Sequence, residues 1–272
     1  MTEVASAAVP AHEPDRINKA FAGVGAAIGL VAWLFLFPLP VGVASVVVLK
    51  AYARLGQFLG FLAMLSVLPG VVWVARSAWK NQWRKGFPLA RVSAGVLVWT
   101  SLCILSFIPV QIAWFAVVER TLGSIHLPDP MSSVGVLGLV LGAPVAEEAL
   151  FRGYGLARIR ELGGGRRAML FTALVFALVH GSWIKLPGTF AIGLFFGWLV
   201  LHTGSLWPAV LGHFVNNVTG FLLGRFDAAP ILDPRQASWA LGLALGAIGT
   251  ASLALLWSPR VRSRIRGLGA ST

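Results

Sequence analysis

Long apolar runs separated by short basic connections are what most constrain this chain. Residues Phe21–Leu49 carry no charge at all, and further runs follow at Leu55–Ala75, Val92–Val118, Met131–Arg152, Ala168–Ile184, Leu186–Leu201, Leu206–Gly224 and Ala237–Ser258. A bilayer core takes about 20 apolar residues per helix. The runs are continuous and lack period-two alternation, so they predict helices rather than barrel strands. The expected fold is therefore all-α, a polytopic transmembrane bundle of about eight helices with a polar cavity between them. The shortest run, Leu186–Leu201, is the span whose full crossing the sequence leaves open.

Composition agrees. Apolar residues make up 57% and charged residues 12%, against about 25% charged in a soluble domain, and mean hydropathy is +0.80. The net charge of +12 comes from 22 basic residues that sit between the runs. That distribution fits topology determinants and anionic lipid contact, and it argues against a nucleic-acid partner. With eight spans and the N-terminus inside, 16 basic residues fall on the inner side and six on the outer. Both termini are then cytoplasmic in an inner (plasma) membrane, and the Arg-rich, Ala- and Gly-rich composition hints at a GC-rich bacterial genome.

Three segments follow: a flexible tail at 1–20, without the apolar core and cleavage site of a signal peptide; a membrane domain at 21–258 whose core is about 131–224; and a basic tail at 259–272. The single Cys103 lies in an apolar run, which excludes a disulfide framework and reads as packing. Nothing in the sequence bears on oligomeric state.

Two of the ten acidic residues, Glu147 and Glu148, end an apolar run, with Arg152 four residues on. Ionisable groups at membrane depth are costly and point to function. On a helix Glu148 and Arg152 stack and can pair, while Glu147 points about 100° away. A helix-end salt bridge near the cytoplasmic face is the plain structural alternative. Two more runs carry polar groups: Phe176-Ala-Leu-Val-His180 and His213-Phe-Val-Asn-Asn217. Either histidine alone reads as a satisfied structural residue, but all of them together suggest one buried polar pocket. Asn216 should point away from Asn217, and Trp183 reads as an interfacial anchor more readily than a pocket residue.

Such a set allows two mechanisms. A carboxylate beside an imidazole can deprotonate water, with a second imidazole and an amide donating to an oxyanion. Alternatively one Glu and two His could hold a divalent metal, with zinc the best fit, leaving a position for water.

The motifs Glu-Glu-x-x-x-Arg at 147–152, Phe-x-x-x-His at 176–180 and His-x-x-x-Asn at 213–217 occur in order. Together they resemble the CPBP family: type II CAAX prenyl proteases, bacteriocin-processing and abortive-infection-like intramembrane proteases. The resemblance spans about Met131 to Gly224. It implies peptide-bond hydrolysis, with Glu147 and His180 activating water and His213 and Asn217 holding the oxyanion. Glu148 and Arg152 would orient the site, and in the metal version His213 joins Glu147 and His180 at the ion. The expected substrate is a membrane-associated protein or peptide: a bacterial peptide, leader or C-terminal sorting segment rather than a prenylated tail. Non-enzymatic alternatives are an immunity or scaffold protein, and a proton-coupled transporter.

Overall fold

The computed structural model describes residues 53–122, 136–225 and 239–256. The run Phe21–Leu49 and both tails lie outside them. Helix α1 spans Ala53–Trp79 and passes into a 3-10 turn at Lys80–Gly86; α2 spans Ala94–Leu122. A composite helix follows over 136–163, with α3 at Ala143–Glu148 and α4 at Leu156–Gly163. Helices α5 (Gly165–Val179), α6 (Leu186–Thr203), α7 (Trp207–Arg225) and α8 (Trp239–Leu256) complete the order.

The described elements are all helical, joined by short connections, with one isolated bridge between Leu89 and Ser205. Two helices among them, Ala94–Val118 and Leu186–Thr203, are long and apolar enough to cross a bilayer. The run whose crossing was open is thus a continuous helix of 18 residues. At 1.5 Å per residue it reaches about 27 Å, near the thickness of a hydrocarbon core. The described residues do not by themselves establish the eight-span bundle expected from sequence.

Two apolar clusters build the interior. Val96, Trp99, Ile104, Phe196 and Leu199 knit α2 to α6. Val71, Ala75, Trp79, Leu150, Phe151 and Phe176 knit α1 to the composite helix and α5. The connections meet at the ends. Leu206 N–H donates to the Pro88 carbonyl at 2.8 Å, which ties the α1–α2 connection to the α6–α7 connection. Trp114 Nε1 donates to the Ile184 carbonyl at 2.7 Å, which ties α2 to the turn after α5.

A further tie joins the α1–α2 connection to α4. The Glu161 carboxylate accepts Trp79 Nε1 at 3.1 Å and pairs with Lys85 Nζ at 2.7 Å and Arg158 Nη1 at 2.9 Å. Beside it the backbones nearly touch: a Cβ on Gly153 would lie 2.8 Å from the Gly86 carbonyl oxygen. Only glycine allows that approach.

The composite helix departs from expectation. The sequence suggests a span ending near Arg152, with the two glutamates at its cytoplasmic end, but the helix runs on to Gly163 and turns at Gly164 (φ 81°). Arg152 is fully buried, so it does not mark an exit to water. Its charge is met inside by Glu148, and the helix need not stop there. Helix α5 in turn ends at Val179, short of the expected Ile184, so His180 caps it and Trp183 is exposed in the turn.

Candidate active site

Glu147 and Glu148 end α3 between two π-helical stretches, Gly138–Gly142 and Ala149–Gly155. The wider register is plain at both: Ala143 N–H bonds the Gly138 carbonyl, and Leu156 N–H bonds that of Phe151. π-Turns are rare and gather at functional sites. Each one rotates the following residues, so Arg152, within the second, is wound inward instead of reaching for a surface.

Arg152 Nη1 donates to Glu148 Oε1 at 3.0 Å, with both side chains fully buried. The guanidinium also lies over aromatic rings, 4.1 Å from the Phe176 centroid and 5.6 Å from that of Phe196. Those faces attract its charge where Nε and Nη2 have no hydrogen-bond partner.

His213, buried on α7, brings Nδ1 to 2.9 Å from Glu148 Oε1 and Nε2 to 4.0 Å from Glu147 Oε2. Its ring stacks on Phe196 and meets the edge of Phe176. Since the Glu148 oxygen only accepts, Nδ1 carries the proton in that bond, and Nε2 is the nitrogen turned towards Glu147. Glu147 Oε2 is buried and has no hydrogen-bond partner. A buried orphan carboxylate oxygen is costly, and the 4.0 Å gap suits one bridging water.

His180 caps α5. Its Nδ1 lies 2.7 Å from the Phe176 carbonyl, which fixes a proton there and leaves Nε2 free. Its ring touches Phe176, 4.8 Å between centroids. Phe176 therefore joins the three motifs, touching Arg152, His180 and His213. No ion pair connects His180 to Glu147 among the described residues; the imidazole that pairs with Glu147 is His213. Nor do three His, Cys, Asp or Glu side chains among those residues form a metal-holding group. Glu147, His180 and His213 do not meet as one such group.

Asn217, one turn beyond His213, donates from Nδ2 to the Leu139 carbonyl at 2.9 Å. Its Oδ1 accepts Asn216 Nδ2 at 3.2 Å, and Asn216 Oδ1 accepts Gln111 Nε2 at 3.3 Å. Gln111 belongs to none of the three sequence motifs. Its signal was available, because it is a polar amide inside the α2 span, the same kind of anomaly that singles out Asn217. Trp183 takes no part in this cluster.

No curated protein and no solved structure matches the chain. Residues 129–219, a third of the chain, match the family model described as type II CAAX prenyl endopeptidase Rce1-like. That segment holds Glu147, Glu148, Arg152, His180, His213 and Asn217, all the residues proposed from the sequence motifs. Over this segment, and over this segment alone, the chain is similar to the Rce1-like type II CAAX prenyl endopeptidases.

Proposed function

We propose that the protein is an intramembrane endopeptidase in which Glu147 is the general base for water attack on a peptide bond. The substrate is the end of a membrane-associated protein or peptide, such as a bacterial leader or C-terminal sorting segment. The observation that carries this reading is the buried Glu147 Oε2, without a hydrogen-bond partner, facing His213 Nε2 across 4.0 Å.

A water bridging those two atoms gives its proton to Glu147 as its oxygen attacks the carbonyl carbon. The C–N bond then breaks, and the proton passes to the leaving amine. Glu148 holds the His213 ring by Nδ1 and is itself held by Arg152. His180, with Nε2 free, is suited to hold the substrate carbonyl or share the proton. The second N–H of Asn217 remains open to the developing oxyanion. A base of this kind contributes on the order of 10²–10⁴-fold.

The test compares membrane proteomes of cells carrying the wild type and Glu147→Gln. New peptide termini that depend on Glu147 are expected and would name the substrate class. Identical proteomes, with both proteins inserted, would favour the immunity or scaffold role.

A further inference from the structure

Pro144 stands inside the composite helix, two residues into α3. Ala143 N–H bonds the Gly138 carbonyl, five residues back. In that register the next donor would be residue 144 and the next acceptor Leu139. Proline has no N–H, so the Leu139 carbonyl loses its donor. Backbone groups freed by proline in a membrane helix need a replacement donor from a neighbour. Here that neighbour is Asn217, whose Nδ2 lies 2.9 Å from the Leu139 oxygen.

The direction of every amide follows. A carbonyl only accepts, so Asn217 must present its NH2 to Leu139 and its oxygen to Asn216. Asn216 must then donate to Asn217 and accept from Gln111. All three side-chain orientations are set from one backbone atom, with no freedom to flip. Aligned amides also polarise one another, which strengthens each bond.

We propose that Gln111, Asn216 and Asn217 form an amide strap that supplies the donor missing at Pro144. By holding the π-turn in register it makes Gln111 and Asn216 positioning residues for Glu147. Glu147 lies three residues beyond Pro144, and a change of register there turns its carboxylate away from His213. The strap also reaches Leu139 from α2, a helix that contributes no catalytic group. The catalytic part of this inference rests on the peptidase reading; the structural part does not.

The experiment combines Pro144→Ala with Gln111→Met and Asn217→Leu in the full-length protein purified in detergent, reading the melting temperature and, separately, kcat and KM on a synthetic peptide spanning a terminus that depends on Glu147 in the proteome comparison. Gln111→Met and Asn217→Leu should each lower the melting temperature, and the double variant should lose less than the sum. Pro144→Ala restores a backbone donor, so it should shrink the penalty of either strap variant. Gln111→Met should lower kcat by about 10- to 100-fold, as a misplacement near 1 Å does, with KM little changed. Additive losses, or a Gln111→Met penalty indifferent to Pro144→Ala, would overturn the strap. A coupled melting response with kcat unchanged would overturn its link to Glu147. If no peptide is cleaved even by the wild type, the peptidase reading fails while the melting cycle still decides the strap. Should Asn217→Leu fail to fold, the Gln111–Pro144 cycle carries the test alone.

Discussion

His213 Nδ1 and Arg152 Nη1 meet on a single oxygen, Oε1 of Glu148, at 2.9 Å and 3.0 Å. One carboxylate thus holds both the imidazole facing Glu147 and the guanidinium that locks the helix. Glu148 Oε2 has no partner, so the load rests on one atom.

Glu148→Gln keeps the shape but takes away the carboxylate paired with buried Arg152, leaving it only the unbonded charge of Glu147. Breaking a buried pair by removing one partner costs about 3–5 kcal/mol. The expected result is a large fall in melting temperature in detergent together with loss of activity. By contrast Glu147→Gln should melt close to wild type, since no hydrogen bond of its Oε2 is lost. Equal melting losses for the two would show that both carboxylates are structural.

The sequence made part of this legible. Run lengths mark α1, α2, α6, α7 and α8 because each apolar stretch has to cover a helix. The i, i+4 spacing marks the Glu148–Arg152 pair. The π-turns are not legible, since one residue of altered register leaves no compositional trace. For the same reason the continuation of the helix to Gly163 is not legible: an arginine after an apolar run resembles an exit to water unless its partners are known. The pairing of Glu147 with His213 rather than His180 depends on how three helices pack, which spacing within one helix cannot report. Gln111 could have been found, because a side-chain amide inside an apolar span needs a partner just as Asn217 does.

The two histidines should separate by stability. His213 is buried, bridges two glutamates and stacks on Phe196, whereas His180 is an exposed helix cap. Both His180→Ala and His213→Ala are expected to abolish processing. Only His213→Ala should lower the melting temperature appreciably, by the loss of a charge-assisted bond worth about 1.5–3 kcal/mol. A destabilised His180→Ala would assign His180 a structural role.

The Glu161 tie predicts a loss of stability in acid. Burial alone would raise its carboxyl, but bonds from Lys85, Trp79 and Arg158, with the Lys85 charge, outweigh burial and hold it below its ordinary value of 4.5. A depressed carboxylate stabilises the fold fully above the unfolded value and loses that contribution as pH falls through the folded one. Melting temperature should therefore drop more steeply below about pH 4.5 in the wild type than in Glu161→Gln, and the two should differ most near neutrality. Parallel curves would show that the tie adds nothing; solvent screening at this half-exposed site keeps the expected difference modest.

Metal removal tests the chemistry at Glu147. His213 Nδ1 is committed to Glu148 and His180 Nδ1 to the Phe176 carbonyl, so of the three expected ligand residues the two Nε2 atoms and the Glu147 carboxylate remain to bind an ion. Those three do not converge as a ligand group among the described residues. With Glu147 as an unassisted base, chelation followed by dialysis should leave cleavage unchanged, and elemental analysis should find zinc well below one atom per chain. Activity lost to the chelator and regained with zinc alone would instead draw His180 and His213 to a common ion, with Glu147 as its ligand. In that case Glu147→Gln should lose zinc as well as activity, whereas a base in contact with water alone should leave the metal content of the protein untouched.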